Sequence, residues 1–253
     1  MEKSYHIGLN EGHGARYAIL PGDPGRVEVI AKYLENPKFL CQNREYTTWE
    51  GYINNEKVLV MSTGMGGPST AIGVEELYRT SVDTFIRVGT CGGMQEKVEA
   101  GDIVVATGCI RQEGTTKEYV PVEYPAVPDF NVTNALVKAA KNNGFVCHAG
   151  VVQSKDSFYG QHDPDRMPVC DELNSKWRAW ISAGCLASEM EGAALCIVSS
   201  VLRARAGAVF TAVWNQERAR LYNDTRECHD SKDAIRTAVD AIALLIDEDK
   251  SGR

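Results

Sequence analysis

The sequence contains neither G-x-G-x-x-G nor G-x-x-x-x-G-K-[ST], so the two common glycine-rich signatures for dinucleotides and nucleoside triphosphates are excluded. It also lacks H-E-x-x-H, and its five histidines show no paired spacing, which argues against a zinc centre. None of the eight cysteines forms a C-x-x-C, so free thiols in a reducing cytoplasm are expected. No apolar run reaches the length of a signal peptide or a bilayer span, and a cytoplasmic chain without membrane contact is the expectation. Positive charge is in the minority: 27 Lys and Arg against 34 Asp and Glu give a net charge of −7. A basic face for nucleic acid is therefore not expected. Repeats, low-complexity tracts and linker-like stretches are absent as well.

What is present reads as one α/β unit spanning residues 1–253. Apolar, β-rich runs fall at 16–20, 57–62, 84–89, 102–110, 144–153 and 207–214. Segments with 3.6-residue periodicity fall at 25–34, 68–80, 131–142, 172–183, 189–204 and 232–246. Residues 45–62 read as a hairpin turning at Asn54-Asn55. This alternation predicts a single α/β domain with a mixed, mostly parallel central sheet flanked by helices. In such sheets ligands gather at the carboxyl ends of the strands.

Four strand ends carry chemistry that a scaffold does not need. They are Gly22-Asp23-Pro24-Gly25-Arg26, TGMGGPST at 63–70, TCGG at 90–93 and FYGQH at 158–162. Glycines allow backbone N–H groups to approach an anion, and a helix starting after the loop adds its positive end. Arg87 interrupts the apolar run 84–89. It is either an edge-strand residue reaching solvent or a buried guanidinium that demands an anionic partner. Arg26, Arg44 and Arg87 together would suit a phosphate, although Arg26 and Arg44 taken singly are also what a solvated surface offers. In SEMEG at 188–192, Ser188 and Glu191 match a capping box, and their spacing favours the cap. The alternative is an extended stretch that places one carboxylate in the cleft, where it accepts from two vicinal hydroxyls.

Taken in order, PGDPGRV, REYTTW, STGMGGPST, RVGTCGG, EYPAVPDF, DSFYGQ and EMEGA resemble the nucleoside phosphorylase family, which also contains the purine enzymes, and within it the uridine phosphorylases. The likeness runs from His6 to about Val213 and implies a nucleoside phosphorylase-like fold. It implies that Gly22, Arg26, Arg87 and Thr90 hold phosphate, with Arg44 reaching in from a neighbouring subunit. It implies that Met190 and Glu191 hold the ribose, that the neighbour's His6 meets the 5′-hydroxyl, that Phe158 stacks near sugar and base, and that Gln161 pairs with the uracil edge. A homo-oligomer follows, with a dimer as the minimal unit and a hexamer as the common assembly. No cofactor is required; phosphate is the co-substrate. A K+ ion between subunits, at Glu45, Ser69 and the Met65 carbonyl, is implied by some members.

The chain departs from that pattern at the base. Gln161 is followed by His162 and Asp163 where Gln-x-Arg is common, and Gln216 stands where a second arginine is often found. Lys155 and His162 are the expected replacements, ahead of Arg166. The activity implied is phosphorolysis of a pyrimidine nucleoside, uridine foremost. A purine phosphorylase is the nearest alternative, disfavoured because Asn215 stands where a purine enzyme needs an acid. A nucleosidase and an inactive nucleoside-binding protein are the others.

Overall fold

The computed structural model describes residues 3–252. Its strands are β1 Tyr17–Pro21, β2 Glu35–Asn43, β3 Tyr46–Ile53, β4 Glu56–Met61, β5 Thr84–Gly93, β6 Ile103–Gln112, β7 Cys147–Lys155, β8 Ala187–Glu189 and β9 Arg205–Asn215. Its helices are α1 Gly25–Ala31, α2 Gly67–Tyr78, α3 Phe130–Asn142, α4 Phe158–His162, α5 Cys170–Ser182, α6 Gly192–Val201, α7 Gln216–Tyr222 and α8 Lys232–Ser251.

The strands join in the order β2-β3-β4-β1-β5-β8-β7-β6-β9, and β5 also pairs with β9. The last five strands therefore close into a ring, from which β1, β4, β3 and β2 extend as an open wing. Pairs β1–β4, β1–β5, β5–β9, β6–β7 and β7–β8 are parallel; β2–β3, β3–β4, β5–β8 and β6–β9 are antiparallel. The sheet is mixed and mostly parallel, flanked by helices, as the alternation of patterns predicts.

Period-2 alternation divides the core between the two faces. Tyr17 and Ile19 of β1 pack with Val27 and Ile30 of α1, Leu136 of α3 and Ile242 of α8. The intervening Ala18 and Leu20 pack with Val74 and Leu77 of α2 and Leu195 of α6. A third cluster joins α6 to the ring through Cys196, Ile197, Val104, Val152 and Phe210. Asn54 and Asn55 take φ of 50° and 62°, the left-handed pair that a two-residue hairpin turn requires. Among the described residues no helix is long and apolar enough to cross a membrane.

Four elements are not predicted by the pattern. β2 is an exposed edge strand containing Pro37 and two register irregularities, and it shows no apolar alternation. β8 has three residues, and α4 and α7 are short. The predicted helix at 189–204 begins only at Gly192, because Glu189 is still in β8.

Candidate functional site

Arg87 does not lie on an edge. It is opposite Leu20 of β1 on one side and Ala208 of β9 on the other, in the strand shared by ring and wing, and is 4% exposed. Its guanidinium runs forward along β5 to Gly89, where a Cβ would lie 3.2 Å from Nη2 and 2.9 Å from the Phe210 ring. Gly22 clears the other side: a Cβ there would lie 3.8 Å from both terminal nitrogens. Nη2 donates to Glu191 Oε2, and Nε lies 3.5 Å from Glu189 Oε2. Nε and Nη1 are buried with no hydrogen-bond partner. A buried guanidinium with spare N–H groups beside an open glycine loop is a site prepared for an oxyanion.

The capping box is overturned. Ser188 belongs to β8, and Glu191 directs its carboxylate away from its own helix, with Oε1 accepting from Gly66 N at 2.6 Å and Oε2 from Arg87. Gly66 belongs to the TGMGGPST loop, so Glu191 ties one of the predicted strand-end loops to Arg87 of β5. The helix start is held by Glu189 instead. Its oxygens accept from the N–H groups of Glu191 and Gly192 at 2.9 Å and from the Ser154 hydroxyl. Burial pushes the Glu189 carboxyl up, against the lowering effect of Arg87. Met190 is partly exposed between these two glutamates.

The base-side residues form one chain of hydrogen bonds. Lys155 Nζ donates to Ser188 Oγ at 2.7 Å, Ser188 Oγ donates to Gln161 Oε1 at 2.6 Å, and Gln161 Nε2 donates to Gln216 Oε1 at 3.2 Å. Lys155 is 6% exposed, and Gln161 is buried at the last turn of α4. Phe158, half exposed, opens that helix; its ring centre lies 4.3 Å from His162 and 6.0 Å from Lys155 Nζ. Burial, then the Lys155 charge, lowers the His162 pKa. A cavity of about 810 Å³ adjoins this chain, lined by Lys155, Gln161 and Gln216 with Gln112, Trp177 and Trp180; Arg87 and Glu191 do not line it. Ser188 is the residue in this chain that sequence reasoning missed, because its spacing imitates a cap.

Burial lowers the Lys155 ammonium to about 8 from 10.5, while Glu189 and Glu191 partly hold it up. Between those values the unfolded chain binds one more proton than the folded one, so stability should rise as pH increases through this window. The cost, about 3 kcal/mol, is fully present below pH 8. Denaturant midpoints measured across pH should show this slope in the wild type and lose it in Lys155→Met, with the variant the more stable of the two at pH 7.

Among the described residues the other sequence candidates take no part in these hydrogen bonds. Arg26 is partly exposed on the first turn of α1, after Asp23 Oδ1 accepts from Gly25 N at 2.8 Å. Thr90 is partly exposed farther along β5. His6 bonds Glu76 through Nδ1 at 2.6 Å, and Asn43 Nδ2 donates to the His6 carbonyl at 2.7 Å. Burial would raise Glu76, but the N–H groups of Ile7 and His6 and the His6 ring hold it below the usual range. Arg44 is exposed at the β2–β3 turn with φ 53°, its guanidinium 6.0 Å from the Tyr5 ring. Among the described residues no hydrogen bond within the chain joins His6 or Arg44 to Arg87, Glu191 or Gln161. Ser69 Oγ donates to the Met65 carbonyl at 3.1 Å, and Glu45 packs its Cγ 2.8 Å from where a Cβ on Gly64 would lie. Arg166 is turned aside, paired with Asp163 at 2.6 Å.

Asn215 is held by the backbone. It caps α7, its Oδ1 accepting from Glu217 N and Arg218 N at 3.0 Å, and its Nδ2 donates to the carbonyls of Gln95 and Val98. Both ends of the amide are committed to the backbone, so the residue is not aimed at a base.

The sequence profile of the phosphorylase superfamily matches residues 16–248. Uridine phosphorylase of Treponema pallidum (strain Nichols) is 55% identical over 245 residues, which cover 97% of this chain and 95% of the relative. Uridine phosphorylase of Escherichia coli (strain K12) is 39% identical over 253 residues, covering 97% and 100%. Guanosine phosphorylase of Halorubrum lacusprofundi is 42% identical over 215 residues, covering 85% of each. The glycine loops around a buried, partly unsatisfied arginine are thus placed in context: the chain belongs to the phosphorylase superfamily.

Proposed function

We propose that this protein is a uridine phosphorylase, converting uridine and phosphate to uracil and ribose 1-phosphate. The observation that supports it most directly is Arg87, buried with two N–H-bearing nitrogens unpartnered beside Gly22 and Glu191. Phosphate occupies that corner, held by Arg87 with Gly22, Arg26 and Thr90. Glu191 and Met190 hold the ribose, the carboxylate accepting from its vicinal hydroxyls with lone pairs left over from Gly66 and Arg87. As the C1′–N1 bond breaks, its electron pair leaves with the base and positive charge develops on the sugar. The phosphate dianion stabilises that charge and then bonds C1′. The base leaves as an anion and takes up a proton at N1, balanced by the proton that hydrogen phosphate gives up as it becomes the ribose 1-phosphate dianion. Gln161, Lys155 and His162 surround it with donors, and Phe158 covers its face. Orientation of both partners by Glu191 lowers the barrier further.

The chemistry requires no metal. The oxygen set of Glu45, Ser69 and the Met65 carbonyl suits a monovalent cation such as K+ as a structural ion, because the Ser69 proton is spent on a backbone carbonyl and its oxygen keeps its lone pairs. His6 and Arg44 complete the site of a neighbouring copy, so the working unit is at least a dimer, with a hexamer as the larger assembly, in the cytoplasm.

Release of free base from a panel of uridine, deoxyuridine, thymidine, inosine and guanosine, with and without phosphate, tests the assignment. Phosphate-dependent release should be greatest with uridine. Asn215→Asp provides a control on the purine alternative. It should lower stability by about 1–3 kcal/mol, since a carboxylate would face the Gln95 and Val98 carbonyls. It should add no activity toward inosine. Thermal unfolding together with inosine turnover checks both outcomes.

A further inference from the structure

We propose that Lys155, acting through Ser188, is the positioning residue that decides which end of the Gln161 amide faces the nucleobase. It would thereby set the preference for uridine over cytidine. The inference rests on the reading of the site as a pyrimidine nucleoside phosphorylase.

The argument is one of hydrogen-bond polarity. An ammonium donates and cannot accept. Ser188 Oγ must therefore accept from Lys155 at 2.7 Å, and its single proton passes to Gln161, 2.6 Å away. The atom receiving that proton has to be the carbonyl oxygen, so the amide is fixed with Oε1 on Ser188 and Nε2 outward. One N–H of Nε2 goes to Gln216 Oε1, leaving the other N–H, together with the second lone pair of Oε1, for a substrate. Amide orientation matters because the two pyrimidines are mirror images at this edge. Uracil presents a carbonyl beside an N–H; cytosine presents an amino group beside an unprotonated nitrogen. Turning the glutamine amide over exchanges a match for one with a match for the other.

The groups around Lys155 bear on its charge. Glu189 of β8, Glu191 ahead of α6 and the Cys91 thiol of β5 favour the ammonium, while burial opposes it; His162 of α4 lies on the exposed side. At neutral pH the ammonium form predominates and the amide is locked. A neutral amine can accept, so Ser188 can donate to it and accept from Gln161, which releases the lock. Deprotonation near pH 8 converts one state into the other.

The test is kcat/KM for uridine and for cytidine at saturating phosphate, resolved into kcat and KM, for wild type, Ser188→Ala, Lys155→Met and Lys155→Arg. The uridine-to-cytidine ratio should fall at least about tenfold in Ser188→Ala and Lys155→Met, because a hydrogen-bonding site discriminates through the groups it would leave unpaired. Lys155→Arg should keep the ratio, since a guanidinium also only donates. In wild type the ratio should fall as pH passes about 8, and in Lys155→Arg it should not. An equal loss for both nucleosides, or an unchanged ratio in a folded Ser188→Ala enzyme, overturns the relay and leaves the phosphorylase reading standing. If the substituted chains fail to fold, a wild-type ratio that stays constant across that pH range overturns it alone. Wild-type enzyme that releases no uracil from uridine overturns both.

Discussion

Arg87→Ala should reduce phosphate-dependent uracil release by about 10²-fold or more, the usual cost of removing a positioned charge from a transition state. It should also cost stability. The substitution leaves Glu189 and Glu191 buried side by side without their shared cation, a loss of about 3–5 kcal/mol for breaking a buried pair. The two effects separate experimentally: turnover measured well below the unfolding midpoint reports the site, and the midpoint reports the pair. Raising phosphate should recover little of the rate, because the missing guanidinium acts on the nucleophile during transfer as well as at binding. Wild-type turnover in a folded Arg87→Ala enzyme would place the phosphate elsewhere.

Glu191→Gln should lower kcat/KM by about 10²-fold and cost part of the stability of the buried Arg87 pair, while the chain still folds because Glu189 stays beside the guanidinium. The substituted side chain keeps an oxygen for Gly66 N but loses the charge opposite Arg87 and one acceptor for the ribose hydroxyls. A capping residue would respond differently, since glutamine serves a capping box as well as glutamate does. Near-normal kinetics in this variant would return Glu191 to a structural role. Melting curves recorded alongside the kinetics keep misfolding from being mistaken for lost orientation.

Much of this site is legible in the residue order because it lies where an α/β sheet places its ligands. Gly22 and Arg87 come from distant parts of the chain, yet each sits at or near the carboxyl end of a strand that apolar patterning marks. What is not legible depends on short elements and on side-chain direction. β8 is too brief to carry a period, so Ser188 and Glu189 are absorbed into the helix that follows, and spacing alone makes Glu191 look like a cap. Asn215 is legible only as the absence of an acid. That its amide is spent on four backbone groups follows from the fold. Lys155 is visible as a cation near the cleft; that it reaches Gln161 through Ser188 follows only once β7 and β8 lie side by side. The polar edge strand β2 lacks an apolar signal because neither face is fully covered.

The ring of five strands also bears on how the protein acquires its activity. Its closing pair, β5 with β9, joins Thr84 to Arg205, positions 121 apart in the chain, and Gly66 meets Glu191 across 125. Such distant pairings carry the loop-closure entropy that slows folding, whereas the α1, α3 and α8 helices can form from local contacts. The anion corner therefore exists only after the last long loop has closed. During refolding from denaturant, helical signal should return first and catalytic competence last, leaving an interval in which the chain is largely structured but inert.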